Sequence, residues 1–428
     1  MKIYKPEDIE EFLSKEQLRY QKIDLPFGYS TPGHPRGQIK EILFSESIKG
    51  RSVLDVGSFL GQMCVAALQN GAERAVGLEL NRDRIRQAGV ISEILQLSPQ
   101  PEYRREDIES TRLEEDFDVV LLLNILHHLR DPIGILRTLT KRVKHRLIIE
   151  AASLNRRDAK KLKLGSLSRF LFSRSPAVYV GPCHPKDLSQ TYFFSERALT
   201  DILSKHLMSY WRIDRYPSEF KGRFILDCKK LSIDRMVLVA GCNSSGKSTF
   251  CERVRQNEFS GDLGYDDCSD IPFVNPAKLW GKPLNSVFPA QETSECLMHY
   301  DLSLVEKFNL HSFERDPATS VIECSKTIDA VLVAPSIETL KHQIYESEIK
   351  NKTGDGSQFH REQSERFGEP GYLLNLYGDW LDYLEGLDSS VTLYVFGETP
   401  DGRRLTKCKT IEDARKHIRD TYSVEAPV

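Results

Sequence analysis

The sequence has no C-x-x-C pair, no internal repeat, no low-complexity tract and no apolar run long enough to span a bilayer. Each absence narrows the field. Its 9 cysteines are scattered, and a structural zinc site needs close pairs, so reduced and mostly buried thiols of a cytosolic protein are expected instead. The longest apolar stretch, FDVVLLLNILHHL, is too short and too polar for a transmembrane helix. The opening MKIYKPEDIEEF is interrupted by charge, which argues against a signal peptide and for a cytoplasmic protein. Charge of one sign is also missing. With 59 basic and 62 acidic residues the formal net charge is -3, unlike a dedicated nucleic-acid binder, although a local basic face is compatible with it. What remains is an ordinary soluble composition, 40% hydrophobic and 28% charged, in 428 residues. That is too long for one core and predicts two or three domains.

Lys5 to Tyr20 has helical periodicity, and YQKIDLPFGYSTPGHPRG then reads as an ordered, irregular arm. From Ser52 onward strand and helix alternate. SVLDV runs into GSFLG and the helix QMCVAALQNG; RAVGLEL, a strand ending near REDIE, FDVVLLLNIL and HRLIIEA follow. This alternation predicts a parallel sheet with helices on both faces and a ligand beyond the strand carboxyl ends. Asp55, near the end of the first strand, is expected to bound the adenosyl pocket together with Glu79. Gly57 and Gly61 let the first turn approach a ligand. Glu79, at the second tip, is placed to accept both hydroxyls of an adenosyl ribose, and Asp107, at the third, to hold an adenine amino group.

These features together resemble the class I S-adenosylmethionine-dependent methyltransferases over roughly residues 15 to 230. VLDVGSFLG looks like their first motif and GLELN like their second. TYFFSERALTDIL and GRFILDCKK fit the last helix and hairpin of that fold. The arm and FDVVLLLNILHHLRDP look most like the subgroup around wobble-uridine tRNA methyltransferases. One departure is Phe59, where the family has its middle glycine. The resemblance implies S-adenosylmethionine as cofactor. Methyl transfer needs alignment, plus a base if the acceptor carries a proton. Asn124, His127 and His128 follow the fourth strand; Asn124 is expected among the cofactor-binding residues, and the two histidines are candidates for the base, with packing or capping at a strand–helix turn as their alternative. Tyr20, Tyr29, His34 and Arg36 on the arm are candidates for closing over the site. SLNRRDAKKLKLGSLSRFLFSR, with Arg156, Arg157, Lys160, Lys161, Lys163, Arg169 and Arg174, reads either as a solvated face or as a holder of an anionic acceptor.

After the short linker CKKLSIDR, the strand MVLVA leads into GCNSSGKS. Gly241, Ser244, Gly246, Lys247, Ser248 and Thr249 match the G-x-x-x-x-G-K-[ST] phosphate cradle. Backbone N–H groups converge on phosphates there, Lys247 reaches the terminal phosphates, and the Ser248 hydroxyl ligates Mg²⁺. ECLMHYDLSL ends a strand at Asp301, a second candidate for the Mg²⁺ shell. NKTGD lacks the Asp of a GTPase base reader. The half from 231 resembles small-molecule P-loop kinases. That likeness implies an acid at the end of the second strand, expected at Asp266 and Asp267. It also implies a basic lid, expected over EIKNKTGDGSQFHREQSERFGEPG with Lys350, Lys352, Arg361 and Arg366.

The expectation is therefore an α/β protein, a Rossmann-like methyltransferase sheet in residues 1–230 followed by a parallel P-loop NTPase sheet in 231–428. Two transfer reactions, with S-adenosylmethionine and with ATP and Mg²⁺, would act on a hydroxyl-bearing acceptor such as a carbohydrate, glycolipid or metabolite. The competing expectation is an RNA methyltransferase gated by an ATP-binding domain.

Overall fold

Aliphatic runs of five to ten residues, too short for core helices and bounded by turn signals, pair side by side as strands. The computed structural model describes residues 3–181, 192–279, 282–308, 310–350, 362 and 365–423, and the chain divides into two compact units, Met1–Lys230 and Leu231–Val428. In the first unit β1 (Ser52–Val56), β2 (Arg74–Leu78), β3 (Glu102–Arg104), β4 (Phe117–Leu123) and β5 (Val143–Ala152) are parallel. A small hairpin, β6 (Val178–Val180) and β7 (Tyr192–Phe194), stands apart. The sheet is closed by β8 (Tyr210–Pro217) and β9 (Arg223–Lys230), with β9 antiparallel to β5 and to β8. The order is β3-β2-β1-β4-β5-β9-β8.

Successive residues of the buried strands feed two cores, one on each face. Leu54, Val120, Leu122, Leu147 and Ile149 face one layer; Val53, Val119, Leu121 and Ile148 face the other. The helices are α1 (Pro6–Lys15), α2 (Gly37–Leu43), α3 (Gln62–Gln69), α4 (Arg82–Ile94), α5 (Pro132–Arg142), α6 (Arg156–Lys161), α7 (Ser166–Arg174) and α8 (Glu196–Asp201). Their starts are encoded locally. Asn81 accepts from the N–H groups of Asp83 and Arg84 at α4, and Asp131 with Pro132 starts α5. The helical pattern over Lys5–Tyr20 gives a helix only to Lys15, because the chain then turns into the arm and Tyr20 takes a left-handed φ of 75°.

In the second unit β10 (Ser232–Gly241) lies between β12 (Glu292–Asp301) and β13 (Ser325–Ala334), with β11 (Phe273–Val274) outside β12 and β14 (Ser390–Thr399) outside β13. These five are parallel, and β15 (Gly402–Lys407) pairs antiparallel with β14. Helix α9 (Lys247–Arg255) follows β10. Val239, Phe250, Val331 and Phe396 make one core; on a separate layer Trp380 stacks on Tyr300 at 4.8 Å. The expected linker is absorbed into strands, because β9 ends at Lys230 and β10 begins at Ser232. Among the described residues no helix is long and apolar enough to cross a membrane. The described cysteines are buried free thiols.

Arg146, 1% exposed in β5, donates from Nε and Nη2 to the two carboxylate oxygens of Asp227 in β9 at 2.6 and 2.7 Å. It also donates to the carbonyls of Ile42 and Leu43 at the end of α2. Removing one member of such a pair strands a buried charge. Arg146→Met is expected to cost about 3 to 5 kcal/mol in urea unfolding, and adding Asp227→Leu to recover much of that loss.

Candidate functional site

The carboxyl ends of the first unit's parallel strands open into a cleft of about 1050 Å³. Each strand contributes through the loop that follows it: Gly57 and Phe59 after β1, Glu79 at the end of β2, Asp107 after β3, Asn124 and His128 after β4. Gly57 has a φ of +76°, and its N–H and that of Ser58 donate to the Leu78 carbonyl, fastening the loop to β2. Glu79 accepts from Phe59 N–H at 3.1 Å and from Asn81 N–H at 2.9 Å, so its carboxylate is fixed at the rim. Asp107 is held in the same way, accepting from Glu109 N–H at 3.0 Å.

The arm supplies the cleft's other wall. Gln21 accepts from the N–H groups of Leu60 and Gln62 and donates to the Ser58 carbonyl, so one carboxamide holds the whole first turn. Gln62 returns the contact by donating to the carbonyls of Lys22, His34 and Pro35. Arg36 is buried and donates to Glu150 at 2.5 Å and to the Tyr20 hydroxyl. Asn124, in a left-handed conformation, donates to that same hydroxyl at 3.2 Å. Phe59 also adopts a left-handed φ, 57°. Its ring lies between Tyr20, edge-on at 5.4 Å, and the Arg84 guanidinium at 4.3 Å. The side chain in the place of the family's middle glycine therefore anchors the arm.

Several expected residues lie elsewhere. Asp55 is 2% exposed and does not line the cleft. Gly61 starts α3, and a Cβ there would sit 2.0 Å from the Tyr103 hydroxyl, so its glycine serves packing under the loop. His127 is a correction. It turns into the core, 2% exposed, while the adjacent His128 lines the cleft. Burial, with His128 and Arg223 nearby, pulls the His127 imidazole down to about 3, leaving a neutral packing residue. On the arm, Tyr20 lines the cleft, His34 packs edge-on against Phe220, and Tyr29 packs against the small core under α1.

In the second unit the loop after β10 curls over the amino end of α9, with Ser244 and Gly246 at φ 59° and 95°. Lys247 is 4% exposed; its ammonium donates to the Cys242 carbonyl and lies 3.8 Å from Asp301, whose strand pairs with β10 at Gly241. Asn243 N–H donates to the Ser303 hydroxyl at 2.9 Å. Ser248 and Thr249 are exposed on the first turn of α9, with Ser248 Oγ 3.4 Å from His299 Nε2. Burial and the Lys247 charge bring His299 down to about 4, so it is neutral at neutral pH. The N–H groups of Cys242, Asn243 and Ser245 are donated to Tyr377, Ser303 and the Cys242 carbonyl, which leaves the helix amino end and Lys247 as the features that suit an anion. Asp301 and Ser248 offer oxygen to a hard cation, which also takes oxygen from phosphates. Among the described residues no cluster of three or more His, Cys, Asp or Glu forms an independent metal site.

Asp266 and Asp267 do not sit at a strand end. The chain there forms one helical turn, Ser260–Leu263, stopped by Gly264, and the next strand starts only at Phe273. Asp267 instead caps its own turn, accepting from Ser269 N–H and Asn257 Nδ2 at 2.8 Å. Arg361 and Lys352 fall outside the described residues, as does the side chain of Lys350. Arg366 pairs with Glu306 at 2.7 Å. Arg403 was not anticipated. It reaches from β15 to within 3.5 Å of the Ser245 carbonyl, bringing a guanidinium to the loop from a sheet edge.

Residues 35–206 match a family described as a methyltransferase domain. The match lies within the first unit, whose sheet order is β3-β2-β1-β4-β5-β9-β8. Among solved structures the chain is similar to the N-terminal domain of EvdMO1 in the presence of SAH and D-fucose, at 17% identity, 53% of this chain, 98% of that one and a TM-score of 0.41. It is also similar to magnesium protoporphyrin IX methyltransferase from Synechocystis with bound SAM, at 18% identity, 45% of this chain, 76% of that one and a TM-score of 0.33. A third is a putative S-adenosylmethionine-dependent methyltransferase from Listeria monocytogenes, at 16% identity, 46% and 97% coverage and a TM-score of 0.36. No curated protein matches the chain.

Burial pushes the Asp55 carboxyl from its ordinary 3.8 to about 7, with Arg36 opposing and Glu79 adding to the shift. The fold therefore keeps a proton that the unfolded chain has already lost, and this group makes the fold less stable as pH rises between those two values. His127 acts in the opposite sense, adding stability as pH rises between about 3 and 6.5. Asp55→Asn removes only the first effect. Its stability relative to the parent protein is expected to be greater at about pH 7.5 than at about pH 4.5. A difference independent of pH would contradict the assignment.

Proposed function

We propose that the chain is a bifunctional transferase. Its first unit moves a methyl group from S-adenosylmethionine, and its second moves a phosphoryl group from ATP, to a hydroxyl-bearing small molecule such as a carbohydrate, glycolipid or metabolite. The observation that carries the first half is the convergence of Gly57, Glu79, Asp107, Asn124 and His128 on one cleft from the ends of four parallel strands. Glu79 would hold the ribose hydroxyls, Asp107 would meet the adenine edge, and the close approach at Gly57 leaves room for the methionine end. The cofactor brings an activated methyl group. His128 takes the proton of the acceptor hydroxyl as the new bond forms at oxygen. Glu106, Asp107 and Glu109 line the same cleft. With Glu79 they outnumber the cleft's two arginines, Arg19 and Arg130, which supports a neutral or cationic acceptor over an RNA backbone.

For the second half the support is the placement of Lys247 between the loop carbonyl of Cys242 and Asp301. ATP supplies the phosphoryl group and Mg²⁺ offsets its charge. Lys247 and the amino end of α9 would hold the phosphates, while Ser248 and Asp301 would be the oxygen donors for the cation. With Asp266 and Asp267 away from the strand end, Lys247 and Arg403 would position and stabilise the transferring group, ADP would leave, and the acceptor hydroxyl's proton would pass to a phosphate oxygen.

The test is incubation of the full chain with methyl-labelled S-adenosylmethionine, γ-labelled ATP and a panel of hydroxylated acceptors. His128→Ala is expected to lower methyl transfer about a hundredfold and leave phosphoryl transfer intact; Lys247→Ala should do the reverse. Absence of label in any acceptor, with both nucleotides bound, would count against the bifunctional reading.

A further inference from the structure

Between β5 and α8 the first unit carries a small insertion, α6, α7 and the β6–β7 hairpin. Its inward side is already satisfied. Phe172 packs with Leu154, Ala159 and Phe193 in a core of its own. The outward side of α7 is apolar as well: Leu167, Phe170 and Leu171, spaced i, i+3 and i+4, are 67%, 49% and 55% exposed. Val178 and Val180 on β6 are 42% and 59% exposed. A soluble helix normally turns one apolar stripe inward and a polar one outward. Here the outer stripe needs a partner of its own.

Charge identifies the partner. Residues 153–181 contain seven lysines and arginines against a single acidic residue. Arg156, Lys160, Lys163 and Arg174 are exposed. The Arg174 guanidinium lies 4.4 Å over the Phe170 ring, so a cation sits directly beside the apolar stripe. Apolar side chains bordered by cations match a bilayer interface, where the former enter the acyl boundary and the latter meet anionic headgroups. A polyanion alone would have no use for Leu167 and Leu171.

We infer that α7 and β6 form a docking surface for an anionic lipid bilayer. The insertion follows the carboxyl end of β5, the sheet edge from which the cleft opens, and Tyr192 of the hairpin donates to the Arg130 carbonyl on the cleft rim at 3.0 Å. Docking therefore faces the cleft edge toward the membrane. The surface does not depend on which reaction the cleft performs.

The experiment is co-sedimentation of the full chain with phosphatidylcholine vesicles, with and without phosphatidylglycerol. Binding is expected only with the anionic lipid, to weaken with added salt, and to drop at least about tenfold in Leu167→Ser/Phe170→Ser/Leu171→Ser. Arg156→Gln/Lys160→Gln/Lys163→Gln should weaken it separately. A Phe170→Trp variant reports insertion directly, through quenching by brominated lipid. No sedimentation with phosphatidylglycerol vesicles overturns the inference. So does binding that the serine variant leaves unchanged, which would mark a plain polyanion site such as one for RNA. A soluble oligomer of the parent protein that the serine variant dissolves would also overturn it, by assigning the stripe to a second copy of this chain.

Discussion

Glu150, at the end of the longest strand of the first sheet, is fully buried, and the cleft is built around the need to balance its charge. A buried carboxylate without partners costs several kcal/mol. Its balance comes from distant parts of the chain: Arg36 from the arm at 2.5 Å, Ser218 from the β8–β9 turn at 2.6 Å, and Arg223 from β9 at 3.7 Å. Arg36 then has a donor left for Tyr20, and Tyr20 meets Asn124. One buried charge thus ties the amino-terminal arm to the ends of β4 and β5, and the arm in turn holds the first turn through Gln21. Loss of the arm would take away the closest cation to Glu150, Arg36 at 2.5 Å.

The second unit solves a related problem with opposite sign. Lys247 is nearly buried, and its ammonium is satisfied by a loop carbonyl and the Asp301 carboxylate. The neutral His299 beside Ser248 adds no competing charge. Each unit thus satisfies a buried charge within its own fold, Glu150 with Arg36 in the first and Lys247 with Asp301 in the second.

What the sequence revealed depended on how locally each feature is encoded. Strand ends follow from runs of aliphatic residues, so Glu79, Asp107 and the Lys247 loop were legible, and the glycines at positive φ marked the turns. Features that need tertiary contact were not. Arg36 and Glu150 are 114 residues apart, and nothing near either announces the other. Arg403 arrives from an edge hairpin. Two readings failed for local reasons that are clear afterwards. GDLG closes a single helical turn at Gly264 instead of extending a strand, which removed Asp266 and Asp267 from any strand tip. In the turn Leu126–His128, adjacent residues point to different sides, so His127 entered the core and only His128 faces the cleft. The exposed stripe of α7 was visible only as a mixture of leucine, phenylalanine and arginine, since composition does not say which face is already covered.

The central claim is that the strand-end cleft is a preformed adenosyl site whose key contact is the Glu79 carboxylate. Calorimetric titration of the full chain with S-adenosylhomocysteine tests it most directly. The account predicts saturable one-to-one binding that falls by about two orders of magnitude in Glu79→Gln, consistent with loss of a charge-assisted pair of hydrogen bonds. No heat of binding, or binding that Glu79→Gln leaves unchanged, would contradict it.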